Sequence, residues 1–269
     1  MKNHLSSQRH LLEPKPSNWD GDHWSGRKAG NYKWYEIQDP VEYWEVFEGK
    51  KLVVQRIAFH SRIGFDDRKM YVNDAAIVIP TSDFWLLACL NSSLLWWFEF
   101  RSFPHKKDEA LAMDIPFVET LPIPEADTSM KKNAERTVAR LIEFSEGLLA
   151  TRVGILDWLK VQHEISEPST KLQDPIALDS DAFVIEVQRA RGRRNPFTAA
   201  ALRGLREEYK RTIEPARSVS AEALRLEHCL HDLVNAAYGL NPEEVRLMWD
   251  TAPPRMPIAR PDSLAAKPE

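Results

Sequence analysis

Three short segments of the sequence combine residue types that could do chemistry. In the first, Asp39 is followed by Glu48-Gly49-Lys50, which fits the Asp…Glu-x-Lys pattern of metal-dependent nucleases. In such enzymes two carboxylates hold Mg²⁺ and the lysine helps to position the attacking water. A pattern this short is frequent by chance. Residues 45–51 also fit the end of a helix followed by a strand with exposed charges, and this structural interpretation is favoured.

The second segment is Glu227-His228-x-x-His231-Asp232, which places two imidazoles on one face of a helix. That spacing can bind a metal ion. No third ligand is visible nearby in the sequence. The two histidines are therefore interpreted as exposed side chains that flank an apolar stripe, and no metal site is predicted.

The third segment is a basic loop in which Arg189, Arg191, Arg193 and Arg194 surround Gly192. One interpretation is contact with phosphates, which would give salt-dependent affinity without choice of sequence. The other is a solvated loop between two helices. The residues alone leave both interpretations open.

Further basic side chains flank the predicted strands or follow the apolar helix described below. Arginine and lysine are the side chains that reach phosphates and the O6 and N7 atoms of guanine. Together with Arg191, Arg193 and Arg194 they form the candidate DNA-binding set, although some must be ordinary solvated surface. These further members are Arg27, Lys28, Lys33, Arg56, Arg62, Arg68, Lys69, His105, Lys106 and Lys107.

Composition limits where such a site can be. The chain has 269 residues, of which 43% are hydrophobic, and its net charge is -4. DNA binding would therefore need a local basic patch. Cys89 and Cys229 are far apart and form no CxxC pair, which disfavours disulfides and structural zinc and fits a reducing cytosol. The N-terminus has no apolar stretch, so no signal peptide and no membrane association are expected, and a cytoplasmic location is predicted.

The first half of the chain predicts strands followed by an apolar helix. Residues 51–58 (KLVVQRIA) predict one strand, and residues 70–80 contain a second after an Asn73-Asp74 turn. The segment 81–83 offers an N-cap to a buried helix over residues 84–101, which is too short and too interrupted to span a bilayer. Residues up to Tyr35 are predicted to form an arm whose aromatic YKWYE segment has one packed face and one face available to DNA. The downstream aromatics are assigned to the core: Trp44, Phe47, Trp85, Trp96 and Trp97.

The second half predicts helices. Apolar residues recur at helical spacing over residues 129–162, and further helices are expected near 181–189, 198–212 and around Leu226 to Ala237. Asn241-Pro242 predicts the start of the last helix, before an extended Pro-rich tail. The fold class is therefore α+β, with a small mixed β-sheet and a core helix in residues 1–126 and a mainly helical region in residues 127–269.

The order of these segments resembles a known family. A strand at KLVVQRIA, the helix segment LLACLNSSLLWW and the later LPIP are similar to the TaqI-like C-terminal specificity domain of adenine-specific DNA methyltransferases from restriction–modification systems. The opening RKAGNYKWYEIQDPVEYW also resembles this group. Segments of the second half, such as LVNAAYGLNPEEVRLMWD, are similar to the C-terminal ends of large enzymes of the same class.

The resemblance implies a target-recognition module that binds double-stranded DNA and orients a methyltransferase. The catalytic domain of that family uses a Gly-containing loop for S-adenosylmethionine and an (Asn/Asp)-Pro-Pro-(Tyr/Phe) tetrapeptide at the flipped base. The only Pro-Pro pair here, Pro253-Pro254, is not followed by an aromatic residue. No catalysis and no cofactor are therefore expected on this chain, and S-adenosylmethionine and the methyl transfer would belong to a separate domain or subunit.

A protein-interaction scaffold, or a remnant without DNA binding of its own, is the alternative, and the acidic net charge favours it slightly. A contiguous basic face would support DNA recognition, whereas scattered charges would support the scaffold. An active nuclease would require Asp39, Glu48 and Lys50 to converge.

Overall fold

A three-stranded antiparallel sheet forms one side of the first half of the protein. The computed structural model describes residues 2–38, 42–192 and 196–264. Strand β1 (Lys51–Gln55) lies in the centre, between β3 (Gly64–Asp66) and β4 (Ala76–Ile79). Leu52 pairs with Phe65 on one side and Ile79 on the other, and its side chain points into the core. A second, two-stranded sheet joins β2 (Ile57–Ala58) to β5 (Leu111–Ala112).

The α+β class is confirmed, with two differences in the strands. The predicted mixed sheet is wrong in this detail, because all three strand pairs are antiparallel. The predicted strand over residues 51–58 is two strands. At Arg56 the backbone N–H donates to Ala75 O and the carbonyl accepts from Met113 N, so the chain leaves one sheet there and enters the other.

The apolar segment forms two helices where one was predicted. Helix α4 (Phe84–Leu90) begins at Asp83, whose carboxylate accepts the backbone N–H groups of Trp85 and Leu86, as expected for the N-cap. Helix α5 (Ser93–Ser102) begins at Ser92, whose hydroxyl accepts the Leu95 N–H. This second cap stops α4 and redirects the chain.

The remaining helices frame these elements. Four short ones are α1 (Lys2–Ser7), α2 (Arg9–Leu12), α3 (Glu45–Glu48) and α6 (Ile115–Val118). Single 3₁₀ turns cover Glu42–Trp44, Lys107–Glu109, Pro175–Ala177 and Asp262–Leu264. The second half contains α7 (Thr128–His163), α8 (Ser180–Arg191), α9 (Ala199–Glu208), a π-helical turn (Tyr209–Ile213), α10 (Glu214–Ala237) and α11 (Pro242–Asp250). The Asn241 cap is confirmed, because it forms a capping box with Glu244.

One hydrophobic core joins the two halves. Leu52 and Trp96 from the first half belong to the same buried cluster as Val138 of α7 and Val234 of α10. A second cluster lies between α7, α8 and α9 around Phe183. The division at residue 126 stays a prediction, and side chains pack across it. No helix in the described ranges is both long and apolar enough to cross a membrane.

The start of the sheet contains a buried ion pair that the sequence does not reveal. Lys51 is 0% exposed, and its Nζ lies 2.5 Å from Asp66 Oδ2 and 2.7 Å from Phe47 O. The Asp66 carboxylate also accepts the backbone N–H groups of Arg68 and Met70 at 3.0 Å. Burial would raise the pKa of Asp66, but these hydrogen bonds outweigh it and the pKa is lowered. The pair thus fixes the β3–β4 connection to β1.

The second unusual buried group is Glu99 on α5. It is 0% exposed, and neither carboxyl oxygen has a hydrogen-bond partner among the described residues. Burial raises its pKa to about 8, so the carboxyl group is neutral at pH 7. On α10, burial lowers the pKa of His231 to about 4, so this imidazole is neutral as well. Both groups are neutral because the core excludes water.

Removing one partner of the buried pair should destabilise the fold. We expect Asp66→Asn to lower the free energy of unfolding by about 3–5 kcal/mol, because the Lys51 ammonium group would remain buried without its counter-charge. Denaturant unfolding measures this change. Asp67→Asn, at the exposed neighbouring carboxylate, is the matched control and should stay within about 0.5 kcal/mol. Equal effects of the two variants would contradict the role given to the pair.

Glu99 should make stability fall as pH rises. Its pKa is about 8 in the folded protein against an ordinary value of 4.5, so its contribution is complete below pH 4.5 and is lost up to pH 8. The slope should approach about 1.4 kcal/mol per pH unit. Measurements between pH 6.5 and 8 avoid the opposite titration of His231, which acts below its ordinary pKa of 6.5. Glu99→Gln should remove this slope, and an unchanged slope would contradict the assignment.

Candidate nucleic-acid interface

The junction of α4 and α5 fixes a loop that carries one of the predicted DNA-binding residues. Asn91 Oδ1 accepts the backbone N–H of Ile63 at 2.8 Å, and its Nδ2 donates to Ile63 O at 3.0 Å. Ser61 Oγ donates to Leu90 O at 3.0 Å. Residues 61 and 63 are buried, whereas Arg62 between them is exposed. Asn91 therefore holds the backbone next to Arg62, and the Arg62 side chain is exposed to solvent.

Polar atoms of these two helices, together with the Tyr238 hydroxyl at the end of α10, bond to other distant segments. Trp85 Nε1 donates to Pro124 O at 3.0 Å, and the Tyr238 hydroxyl donates to Pro122 O at 2.5 Å. The LPIP segment is therefore held in place at two of its carbonyl groups. Ser93 Oγ lies 2.9 Å from Nδ1 of the buried His231 on α10. The residues that carry the family resemblance thus organise the core.

Three of the predicted basic residues are neutralised by carboxylates. Arg56 donates from two nitrogens to Asp114 Oδ1, at 3.1 and 2.6 Å, and from a third to Asp74 O at 3.3 Å. Lys69 Nζ lies 3.2 Å from Glu48 Oε2. Both pairs are partly exposed to solvent.

The third neutralised residue is Arg68, whose guanidinium pairs with Glu146 on α7. This pair ties the β3–β4 connection to the helical half. Because the three charges are balanced in place, Arg56, Arg68 and Lys69 contribute little net positive potential to a DNA-facing surface.

The N-terminal arm uses its basic residues for its own structure. Arg27 is half-buried, and its guanidinium donates to the carbonyls of Leu12, Lys33, Trp34 and Glu36 at 2.8–3.1 Å. Lys28 is exposed and also interacts with another group of the protein.

Lys33 lies above the Tyr35 ring at 5.7 Å and 3.6 Å from Glu36. Its hydrogen bond to Tyr35 raises its pKa. Tyr35 itself is more than half exposed, so the arm presents an aromatic face to solvent.

Four other predicted residues lie around the second sheet. Arg62 follows β2, while His105, Lys106 and Lys107 precede its partner β5. His105 is paired with the backbone of Leu111, and its Nε2 contacts Phe100 O at 2.8 Å. Within residues 2–38, 42–192 and 196–264, Arg62, Lys106 and Lys107 form no ion pair. Of the four predicted residues around this sheet, these three exposed charges remain available to a polyanion.

The basic loop near residue 190 is described only in part. Arg191 lies over the Phe197 ring at 4.5 Å, and Arg189 pairs with Glu186 at 2.6 Å. The predicted residues Arg193 and Arg194 lie outside the described residues. The choice between phosphate contact and solvated loop therefore stays open.

The two metal hypotheses gain no support. Asp39 lies outside the described residues, and Glu48 is engaged by Tyr71 at 2.7 Å and by Lys69. His231 is buried on α10, so the interpretation of two exposed histidines is wrong for His231. This residue lies on the side of α10 that faces the core. No group of three or more His, Cys, Asp or Glu side chains within the described part of the chain could hold a metal ion.

The assignment of aromatic residues to the core is confirmed for some residues and wrong for one. Trp85 and Trp96 are buried, as predicted. Trp44 was assigned to the core but is 49% exposed, because it ends a short 3₁₀ turn outside the sheet.

Comparison with known proteins assigns the two halves separately. Residues 2–123 match the TaqI-like C-terminal specificity domain. Residues 127–234 match a domain of unknown function, DUF8810. No curated protein and no solved structure gives a significant match. The resemblance of the first half is confirmed; the likeness of the second half to methyltransferase C-termini stays a prediction, because the family it matches has no assigned function.

Loss of the Asn91 amide should loosen the interface loop together with the core. We expect Asn91→Ala to lower the free energy of unfolding by about 2–4 kcal/mol, since the Ile63 N–H and C=O would lose their partner. Asn73→Ala, at an exposed turn, is the control for an asparagine that bonds only locally. Hydrogen exchange at Ile63 should accelerate in the first variant alone, and unchanged exchange would contradict the clamp.

Proposed function

We propose that this protein is a DNA target-recognition module of an adenine-specific methyltransferase from a restriction–modification system. The observation that carries the proposal is the match of residues 2–123 to the TaqI-like specificity domain. The physical support is the exposed set of Arg62, Lys106 and Lys107 beside the second sheet. Phosphate contacts of this kind would set the position of the module on duplex DNA, and neighbouring contacts to base edges would choose the sequence.

The chemistry of methyl transfer would be supplied by another domain or subunit. The sequence contains no (Asn/Asp)-Pro-Pro-(Tyr/Phe) tetrapeptide, which is the element of this enzyme class that holds the target adenine. S-adenosylmethionine would therefore bind to that partner. The role of the present chain would be to bind duplex DNA so that an adenine at a fixed distance from the recognised bases can be flipped into the partner's pocket.

The alternative is a scaffold that binds a partner protein without DNA. It is favoured by a groove of about 600 Å³ between α7 and α10, which is lined by apolar residues such as Leu141, Leu148 and Leu224 together with polar ones such as Arg217 and Glu227. The ion pairs of Arg56, Arg68 and Lys69 also reduce the positive charge available to DNA. The two functions are compatible, because the groove and the second sheet involve different residues.

Selection from a random duplex pool distinguishes the DNA-recognition function from the scaffold function. The purified chain is incubated with the pool at low and moderate salt, and the bound fraction is sequenced. Enrichment of a short motif would support target recognition. Salt-sensitive binding without a motif would support phosphate contacts and place base readout in the complex with the methyltransferase. An absence of binding at low salt would refute the DNA proposal and favour the scaffold.

The exposed lysine pair should contribute to affinity without contributing to sequence choice. We expect Lys106→Gln/Lys107→Gln to weaken binding of all duplexes and to make the plot of log K against log salt shallower by about 1.8, or about 0.9 per lost phosphate contact. The matched control is Lys131→Gln/Lys132→Gln, which removes two exposed adjacent lysines at the start of α7. An equal loss of DNA affinity in both double variants would indicate only a general effect of net charge.

A further inference from the structure

The segment that follows α11 is bound to the first half of the protein. Trp96 Nε1 donates to Pro254 O and Trp97 Nε1 donates to Thr251 Oγ1, both at 3.0 Å. Arg101, stacked on Trp97 at 3.9 Å, donates to Thr251 O at 2.6 Å. Ile258 is buried against α5 and α11. Although this Pro-rich segment resembles a loose tail in sequence, its position on α5 is fixed.

That attachment places Arg255 beside the second sheet. Both terminal nitrogens of Arg255 donate to Asp108 O at 3.3 Å, and the guanidinium lies 5.2 Å from the centre of the Phe59 ring. Phe59 directly follows β2, and Asp108 lies in the 3₁₀ turn Lys107–Glu109, which directly follows Lys106. Two of the five N–H donors of the guanidinium are used in this way, so the others remain available to a ligand. Arg255 itself is exposed.

The charges around Arg255 are mainly positive. The pKa of His60 is lowered by burial and then by the charges of Arg62 and Arg255, which places both guanidinium groups near this imidazole. Lys106 and Lys107 extend the group on the adjoining turn. Asp108 and Glu109 are the acidic residues of that turn, and neither forms an ion pair with these cations in the described residues. Arg62, Arg255, Lys106 and Lys107 thus supply four positive charges to this region, against the two carboxylates of the turn.

The backbone at this contact is held in an unfavourable conformation. Arg255, Asp108 and Glu109 have φ values of 60°, 58° and 59°, in the left-handed region that non-glycine residues rarely occupy. Such strain is concentrated at functional sites, where the surrounding structure maintains it. Here the tryptophan bonds to Pro254 and Thr251 hold one side of the contact, and the β2–β5 pairing holds the other.

We propose that residues 251–258 form part of the DNA-binding surface, and that Arg255 binds a backbone phosphate together with Arg62, Lys106 and Lys107. The inference rests on the proposed function of the first half. It adds a segment outside both family matches, which end at residues 123 and 234. The recognition surface is then discontinuous in sequence: its first part lies between β2 and β5, and its last part follows α11.

The test compares single arginine variants of the full chain. A labelled duplex of mixed sequence is titrated at salt concentrations between about 50 and 200 mM. We expect Arg255→Gln to weaken binding about eightfold at 0.1 M salt and to reduce the salt slope by about 0.9. Arg255→Lys, which retains the charge, should keep most of the slope. Arg246→Gln, at an exposed arginine on α11, is the matched control and should bind as the unmodified protein does.

The outcomes separate this inference from the proposed function. If the unmodified chain fails to bind the duplex, the DNA-recognition function is overturned. If the unmodified chain binds and Arg255→Gln matches it in affinity and slope, the function stands and the inference about Arg255 is overturned.

A second measurement covers the case in which Arg255→Gln lowers the melting temperature. Arginine-specific chemical modification of the unmodified protein is followed by mass spectrometry with and without saturating duplex. Protection of Arg255 and Arg62, but not of Arg246, supports the inference. Full reactivity of Arg255 in the DNA complex overturns it.

Discussion

The structure depends on one side-chain amide. Asn91 binds both backbone polar groups of Ile63, and this bond is possible only because the apolar segment stops at Leu90 and restarts with the Ser92 cap. A continuous helix would point residue 91 elsewhere and leave a buried loop without partners for its N–H and C=O groups. Because of this break, α4 packs on the sheet and on α7. Helix α5 contacts α10 through Ser93 and contacts the C-terminal segment through Trp96.

Elements governed by local sequence were predictable, and those governed by distant bonds were not. The 36-residue helix α7 was predicted to within one residue at each end, because its apolar period and its Asp127 cap are both local. The strand over residues 51–58 breaks at Arg56, where the distant Met113 bonds to its carbonyl. The helix over residues 84–101 breaks at the Ser92 cap, and there Asn91 bonds to the distant Ile63. Hydrophobic pattern alone shows neither.

The same distinction applies to the candidate interface. The sequence identified the basic residues but not their neutralising partners, since Arg68 meets Glu146 and Arg56 meets Asp114 across long stretches of chain. Lys50 was weighed for metal-dependent chemistry and not favoured, whereas the lysine with a defined structural role is its neighbour Lys51, which pairs in the core with Asp66. Arg255 was missed because a Pro-rich segment after the last helix gives no sign of where it packs. The conspicuous Trp96-Trp97 pair could have suggested a binding partner for that segment, since buried indole N–H groups need acceptors.

An acidic chain can bind DNA only where its geometry keeps cations unpaired, and rigid placement makes each such cation more effective. A lysine or arginine on a flexible tail would lose conformational entropy on binding, which offsets part of the electrostatic attraction to a phosphate. Arg255 is held by the tryptophan bonds to Pro254 and Thr251 and by Phe59, so much of its ordering occurs when the protein folds. The Asn91 clamp has the same effect on the backbone that carries Arg62. A few preorganised charges can therefore contribute as much to DNA binding as a larger number of mobile ones, which is consistent with a net charge of -4.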